Sequence, residues 1–61
     1  MRVLKRDIGK WCWVKYDNPP NPQKGIIVHT EGRWVEVLFP PNSGIDTVEH
    51  ADVVEIGRMV K

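Results

Sequence analysis

Hydrophobic and polar residues alternate along most of this chain, and no window shows the three-to-four-residue recurrence of a helix. The clearest alternation runs from Gly25 to Phe39, where two runs rich in β-branched residues meet at Glu31 and Gly32. Glycine tolerates the positive φ of a tight turn, so the pattern predicts a hairpin. With a two-residue loop, Thr30 faces Arg33, Val28 faces Val35 and Ile26 faces Val37. Directly opposed residues share a face of the sheet. Ile26, Val28, Val35, Val37 and Phe39 therefore form an apolar side, and Ile27, His29, Trp34, Glu36 and Leu38 a mixed one. A one-residue bulge would exchange the faces of one strand. The register without a bulge is expected, because it leaves Glu36 in water.

Trp11 to Tyr16 reads as the strand before this hairpin. Its smaller set, Cys12, Val14 and Tyr16, suits a narrow interior, which turns Trp11, Trp13 and Lys15 outward. Residues 17–24 hold three prolines, which lack amide donors and hold their neighbours extended, so a stiff surface connector is expected there. Pro40 closes the strand ending at Phe39, and residues 40–44 form a turn. Ile45 to Glu49 then makes a fourth strand, His50 to Asp52 one helical turn, and Val53 to Ile56 a last strand ended by Gly57. The expectation is an all-β chain of five antiparallel strands bent into a small barrel, with one short helical turn before the last strand. Val14, Ile26, Val28, Val35, Val37, Val48 and Val53 are expected inside. One domain spans 1–61, with its core at 8–56, a basic lead-in at 1–7 and a tail at 57–61.

This layout resembles the SH3-like barrels, in particular the Tudor, chromo-barrel and KOW-type modules. The residues that carry the resemblance are Ile8, Gly9 and Lys10 before Cys12 and Val14, then Lys24 to Ile27, Gly32 to Val37, and Thr47 to Val53. The run from Val48 to Val53 is similar to the family's Val-x-x-x-Asp-Leu signature, with Val53 in the last place. Tudor modules enclose methylated Lys or Arg between three or four aromatic rings through cation–π attraction. The resemblance places Tyr16 and Phe39 at two of those walls. Gln23 or Lys24, and Asn42, stand where further rings are expected, which leaves half a cage. Type II dihydrofolate reductases are also single SH3-like chains. Their pore segment, Val-Gln-Ile-Tyr, is replaced here by Asp46, Thr47, Val48 and Glu49, so that activity is not expected.

Composition narrows the chemistry further. A chain of 61 residues buries only about 60% of the surface its unfolded form exposes, so its stability is marginal. Cys12 is the single cysteine, which excludes an internal disulfide, and no Cys and His spacing suits zinc. The thiol is expected as a small core hydrophobe, and its reduced state accords with a cytoplasmic setting. No run approaches the roughly 20 apolar residues of a membrane span, and Arg2 to Asp7 is too charged for a signal peptide. The formal charge is +1, but residues 1–25 carry six basic and two acidic groups, whereas 26–61 carry three basic and six acidic. His29 and His50 are the candidate general bases, with Glu49 and Asp52 beside His50. Local turn hydrogen bonding accounts for that cluster, and no catalytic centre, cofactor or metal site is expected.

The three tryptophans are the strongest functional pointer. Trp11 and Trp13 share the outer face of the first strand, and Trp34 shares a face with His29. Exposed indoles would form an apolar patch near the limit an inert monomer carries, and Trp is enriched among residues that dominate interface energies. Trp11, Trp13, Trp34, Tyr16 and Phe39 are therefore the expected partner-binding set. They point to a non-catalytic module that binds another protein or a second copy of itself, of a size suited to a small accessory or regulatory protein of a phage or bacterium. Nucleic-acid binding is the alternative, with Lys5, Arg6, Lys10, Lys15 and Lys24 meeting phosphate and indoles stacking on bases. An oligomeric SH3-like enzyme of unrecognised type is a third reading.

Overall fold

The β-branched runs form five strands: β1 (Lys10–Val14), β2 (Gln23–Glu31), β3 (Trp34–Phe39), β4 (Gly44–Glu49) and β5 (Val53–Met59). The structure is a computed structural model that describes residues 1–16, 21–41 and 44–60. The strands are antiparallel and hydrogen-bonded in the order β4-β3-β2-β1-β5. One 3-10 turn (Lys5–Asp7) precedes β1, and a second (His50–Asp52) leads directly into β5. The molecule is thus all-β, a five-stranded sheet curled into a small barrel-like globule. No helix among the described residues is long and apolar enough to cross a membrane.

The hairpin turns one residue later than the alternation predicts. Glu31 pairs with Trp34, so Gly32 and Arg33 make the turn, with Gly32 at a φ of 59°. Thr30 consequently faces Val35, and Ile26 faces Leu38. The later turn moves the pairing by two positions, and a bulge between Ile27 and His29 takes back one of them. The face of β3 is as expected, with Val35 and Val37 fully buried and Glu36 half-buried. Before the bulge the faces of β2 are exchanged, with Ile27 inward and Ile26, expected in the core, only half-buried. Beyond it Thr30 points inward on the expected face, while Val28, also expected in the core, is only half-buried at the bulge. Gly25 explains the phase. A Cβ there would lie 2.5 Å from Val37 Cγ1 and 2.9 Å from the Leu38 carbonyl, so β2 passes too close to β3 here for any side chain. Only glycine fits that inward position, and Ile27 follows it two residues on.

Other boundaries also move. Gln23 and Lys24 belong to β2 rather than to the proline-rich connector, and β5 runs through Gly57 to Met59 instead of ending at Ile56. Lys15 and Tyr16 lie just beyond β1. The expected connector at Asp17–Pro20, the cage position at Asn42 and the last residue of the tail lie outside the described residues.

The core consists of Val3, Cys12, Val14, Ile27, Val35, Val37, Val48 and Val53, with Tyr16, Phe39 and Ile56 packed against it. Fully burying an aliphatic side chain contributes roughly 1.5–3 kcal/mol, so this short list carries most of the hydrophobic stabilisation. Val3 belongs to the lead-in, which docks through backbone groups. The Met1 nitrogen donates to the His50 and Val53 carbonyls at 3.1 and 2.9 Å. Asp7, 6% exposed, caps its own 3-10 turn by accepting the Leu4 amide at 2.9 Å and pairs with Lys10 Nζ at 3.0 Å. The Leu4 hydrogen bond, followed by that of Lys10, holds the Asp7 carboxyl below its ordinary value, against the opposing effect of burial.

Candidate functional site

Alternation and register together fix what the outer face of the sheet displays. Three cross-strand rows follow from the pairing. Glu49, Trp34 and Glu31 form the first, across β4, β3 and β2, and Thr47, Glu36 and His29 the second. The third, Ile45, Leu38, Ile26 and Trp11, crosses four strands and is wholly apolar. Ile45 is 60% exposed and Trp34 48% exposed, whereas Ile26, Leu38 and Trp11 are half-buried by their neighbours.

The two indoles of β1 take the outward direction expected of them. Trp11 and Trp13 do point outward, but both are half-buried. The Lys24 ammonium lies 4.3 Å from the Trp11 ring centroid and 5.6 Å from that of Trp13. A methyl group added at Gly57 would come within 3.0 Å of Trp13, which shows how closely β5 backs that ring. The cover thus comes from adjacent strands, and the lead-in docks at His50 and Val53.

Trp34 is the indole left open to solvent. A shallow groove of about 580 Å³ runs beside it, lined by His29, Glu31, Trp34, Glu36 and Thr47. The Arg33 guanidinium lies 5.2 Å from the Trp34 ring centroid and donates to Glu49 Oε1 at 2.8 Å. His29 Nε2 sits 3.4 Å from Glu31 Oε1. Glu36 has no ion-pair or hydrogen-bond partner among the described residues. Sequence reasoning singled out Trp34 but missed Glu31, Glu36, Thr47 and Ile45. Their alternation around Trp34 was visible, but which strands brought them together was not.

Tyr16 and Phe39 do converge, with ring centroids 6.1 Å apart and planes tilted by 54°. Both pack on the core, and the Tyr16 hydroxyl donates to Asp46 Oδ2 at 2.7 Å. Burial, then that carboxylate, push the Tyr16 phenol well above its ordinary range. The pair therefore closes one end of the core and is away from the Trp34 groove.

The basic residues do not act alike. Lys10 is paired with Asp7 and Lys24 covers the two indoles, while Lys5, Arg6 and Lys15 are exposed. The histidines also separate. Asp52 accepts the Glu49 amide at 3.0 Å, the local turn chemistry expected of that cluster, whereas His50 is bonded on both ring nitrogens to backbone far along the chain, at Val3 and Gly32. Cys12 is buried, and desolvation pushes its thiol up to about 11, with the Gly25 amide pulling the other way. A thiol so placed is largely protonated at neutral pH and a poor nucleophile. No group of three or more His, Cys, Asp or Glu among the described residues is arranged to hold a metal ion.

No family model, curated protein or solved structure matches this chain.

Proposed function

We propose that this chain is a non-catalytic binding module, of the SH3-like, Tudor or KOW kind in layout, that docks another protein on the outer face of its sheet. The observation that carries the reading is Trp34. A large indole left 48% exposed beside a groove, with Ile45 60% exposed on the next strand, is apolar surface that favours association. The chemistry of the histidines supports a non-catalytic role, because His50 is engaged by backbone and His29 faces solvent beside the Glu31 carboxylate. Two of the five basic residues weighed for nucleic acid already have intramolecular partners, which supports a protein partner over phosphate.

The test is affinity capture from the source lysate on immobilised wild-type and Trp34→Ala protein, each with and without nuclease. Capture that survives nuclease and is lost in the variant is expected. Capture that nuclease abolishes, or that Trp34→Ala leaves unchanged, overturns the reading.

A further inference from the structure

We propose that the groove beside Trp34 receives a lysine or arginine side chain presented by an extended, basic segment of another protein. The inference rests on the outer face being a docking surface and adds the chemistry of the partner. Two carboxylates, Glu31 and Glu36, enter the groove beside one indole, and among the described residues no lysine or arginine lines it. Glu36 lies at the centre of its cross-strand row, between Thr47 and His29, and has no partner among the described residues. An arriving cation finds there an ionised acceptor and an aromatic ring together, a combination that discriminates by charge as well as shape.

The chain already carries one example of this chemistry. Arg33 sits over Trp34 while bonded to Glu49, a guanidinium held by an indole and a carboxylate. The groove shares that indole and adds Glu36, a carboxylate with no partner among the described residues, while Glu31 lies 3.4 Å from His29. Charge therefore selects the occupant: a phosphate or an acidic peptide meets Glu31 and Glu36, and a neutral apolar segment leaves Glu36 unanswered.

The edge of the sheet supports an extended backbone. β4 is last in the strand order, with no strand beyond it among the described residues. Its Thr47 and Glu49 amides are already taken by the Asp46 and Asp52 side chains, so an arriving segment meets that edge mainly through its carbonyls and side chains. Thr47 both lies on this edge and lines the groove, so a segment running along β4 directs alternate side chains toward Glu36.

The experiment uses fluorescence polarisation with a labelled octapeptide of alternating Arg and Val, and the same peptide with Glu in place of Arg. The basic peptide is expected to bind the wild-type protein, more weakly as salt rises, and the acidic one not to bind. Glu36→Lys and Trp34→Ala are each expected to weaken binding about tenfold or more, with Glu36→Gln intermediate. Glu55→Lys, the same charge change on the opposite edge strand, is expected to alter it by less than about twofold. Circular dichroism melts confirm that each variant is folded. The proposal is overturned if the basic peptide fails to bind, if the acidic peptide binds as well, or if Glu55→Lys and Glu36→Lys weaken binding equally. Should the peptide fail while Trp34→Ala still abolishes lysate capture, the docking face stands and the cationic assignment falls. Should capture also be unaffected, both fall.

Discussion

His50 accepts the amide hydrogen of Val3 on its Nδ1 at 2.9 Å, across 47 positions of sequence. An imidazole that accepts on Nδ1 carries its own hydrogen on Nε2, and that nitrogen is 2.8 Å from the Gly32 carbonyl, to which it donates. One neutral ring thus joins the lead-in, the β2–β3 turn and the 3-10 turn before β5.

His50→Ala removes both bonds and leaves the Val3 amide and Gly32 carbonyl to water. The expected cost is about 1–3 kcal/mol, because each bond contributes modestly and unpaired backbone groups add to the loss. Hydrogen exchange locates the effect. The Val3 amide should exchange much faster in the variant while those of β2 and β3 remain protected. Unchanged protection at Val3 would show that the lead-in does not depend on His50.

Asp7 gives the fold a specific acid sensitivity. Its carboxyl titrates below the ordinary 3.8 in the folded chain, so the folded form takes up the proton less readily than the unfolded one. The stabilisation is therefore complete above 3.8 and is lost as pH falls below that value through the folded pKa. Asp7→Asn lacks this titration. It should be less stable than wild type at neutral pH, with the gap narrowing as acid is added, as urea unfolding midpoints from about pH 6 to about pH 2 would show. A gap that stays constant would assign the effect to packing alone.

The exchanged faces of β2 predict unequal costs at two adjacent isoleucines. Ile27 is fully buried and Ile26 only half-buried. Ile27→Ala should cost about 2–4 kcal/mol, including the cavity left behind, and Ile26→Ala about 1 kcal/mol. Denaturant midpoints measure both, and the reverse order would restore the register without a bulge.

This pair also shows where the sequence ceases to specify the structure. On β3, Val35 and Val37 flank Glu36, and the polar residue sets the phase unambiguously. On β2, Ile26, Ile27 and Val28 are consecutive aliphatics, so alternation alone cannot say which faces inward. The phase is set by the close approach of Gly25 to Val37 and Leu38, an inter-strand contact that composition does not display. Val3 was hidden in the same way among Arg2, Lys5 and Arg6, since its burial depends on a histidine far along the chain. At the candidate site, Trp34 was legible as an outward indole. The cover over Trp11 and Trp13 was not, because it needs Lys24 on β2 rather than in a connector.

Gly25→Ala tests that contact directly. The added methyl meets the Val37 side chain and the Leu38 carbonyl oxygen, and the backbone atom has no rotamer by which to withdraw. Overpacking of this kind costs about 1–3 kcal/mol, and in a domain this small each kcal/mol lowers Tm by about 4–8 °C. A melting temperature unchanged from wild type would mean that β2 and β3 can separate there without loss.

The pairing of β1 with β5 has a mechanical consequence. Lys10 opposes Met59 and Val14 opposes Val53, so the chain enters β1 at the end where it leaves β5. Tension applied through the flanking segments loads the ladder one rung at a time instead of shearing all rungs together, because antiparallel bonds lie across the strands. The lead-in bonds of Met1 and Val3 to His50 and Val53 take the load first, the bond from Val60 to the Gly9 carbonyl follows, and opening then travels toward Val14 and Val53. The three strands that carry the Trp34 groove lie beyond that seam. They keep their face while the β1–β5 edge gives way, so the module opens like a zipper under small loads and resists pulling poorly as a tether.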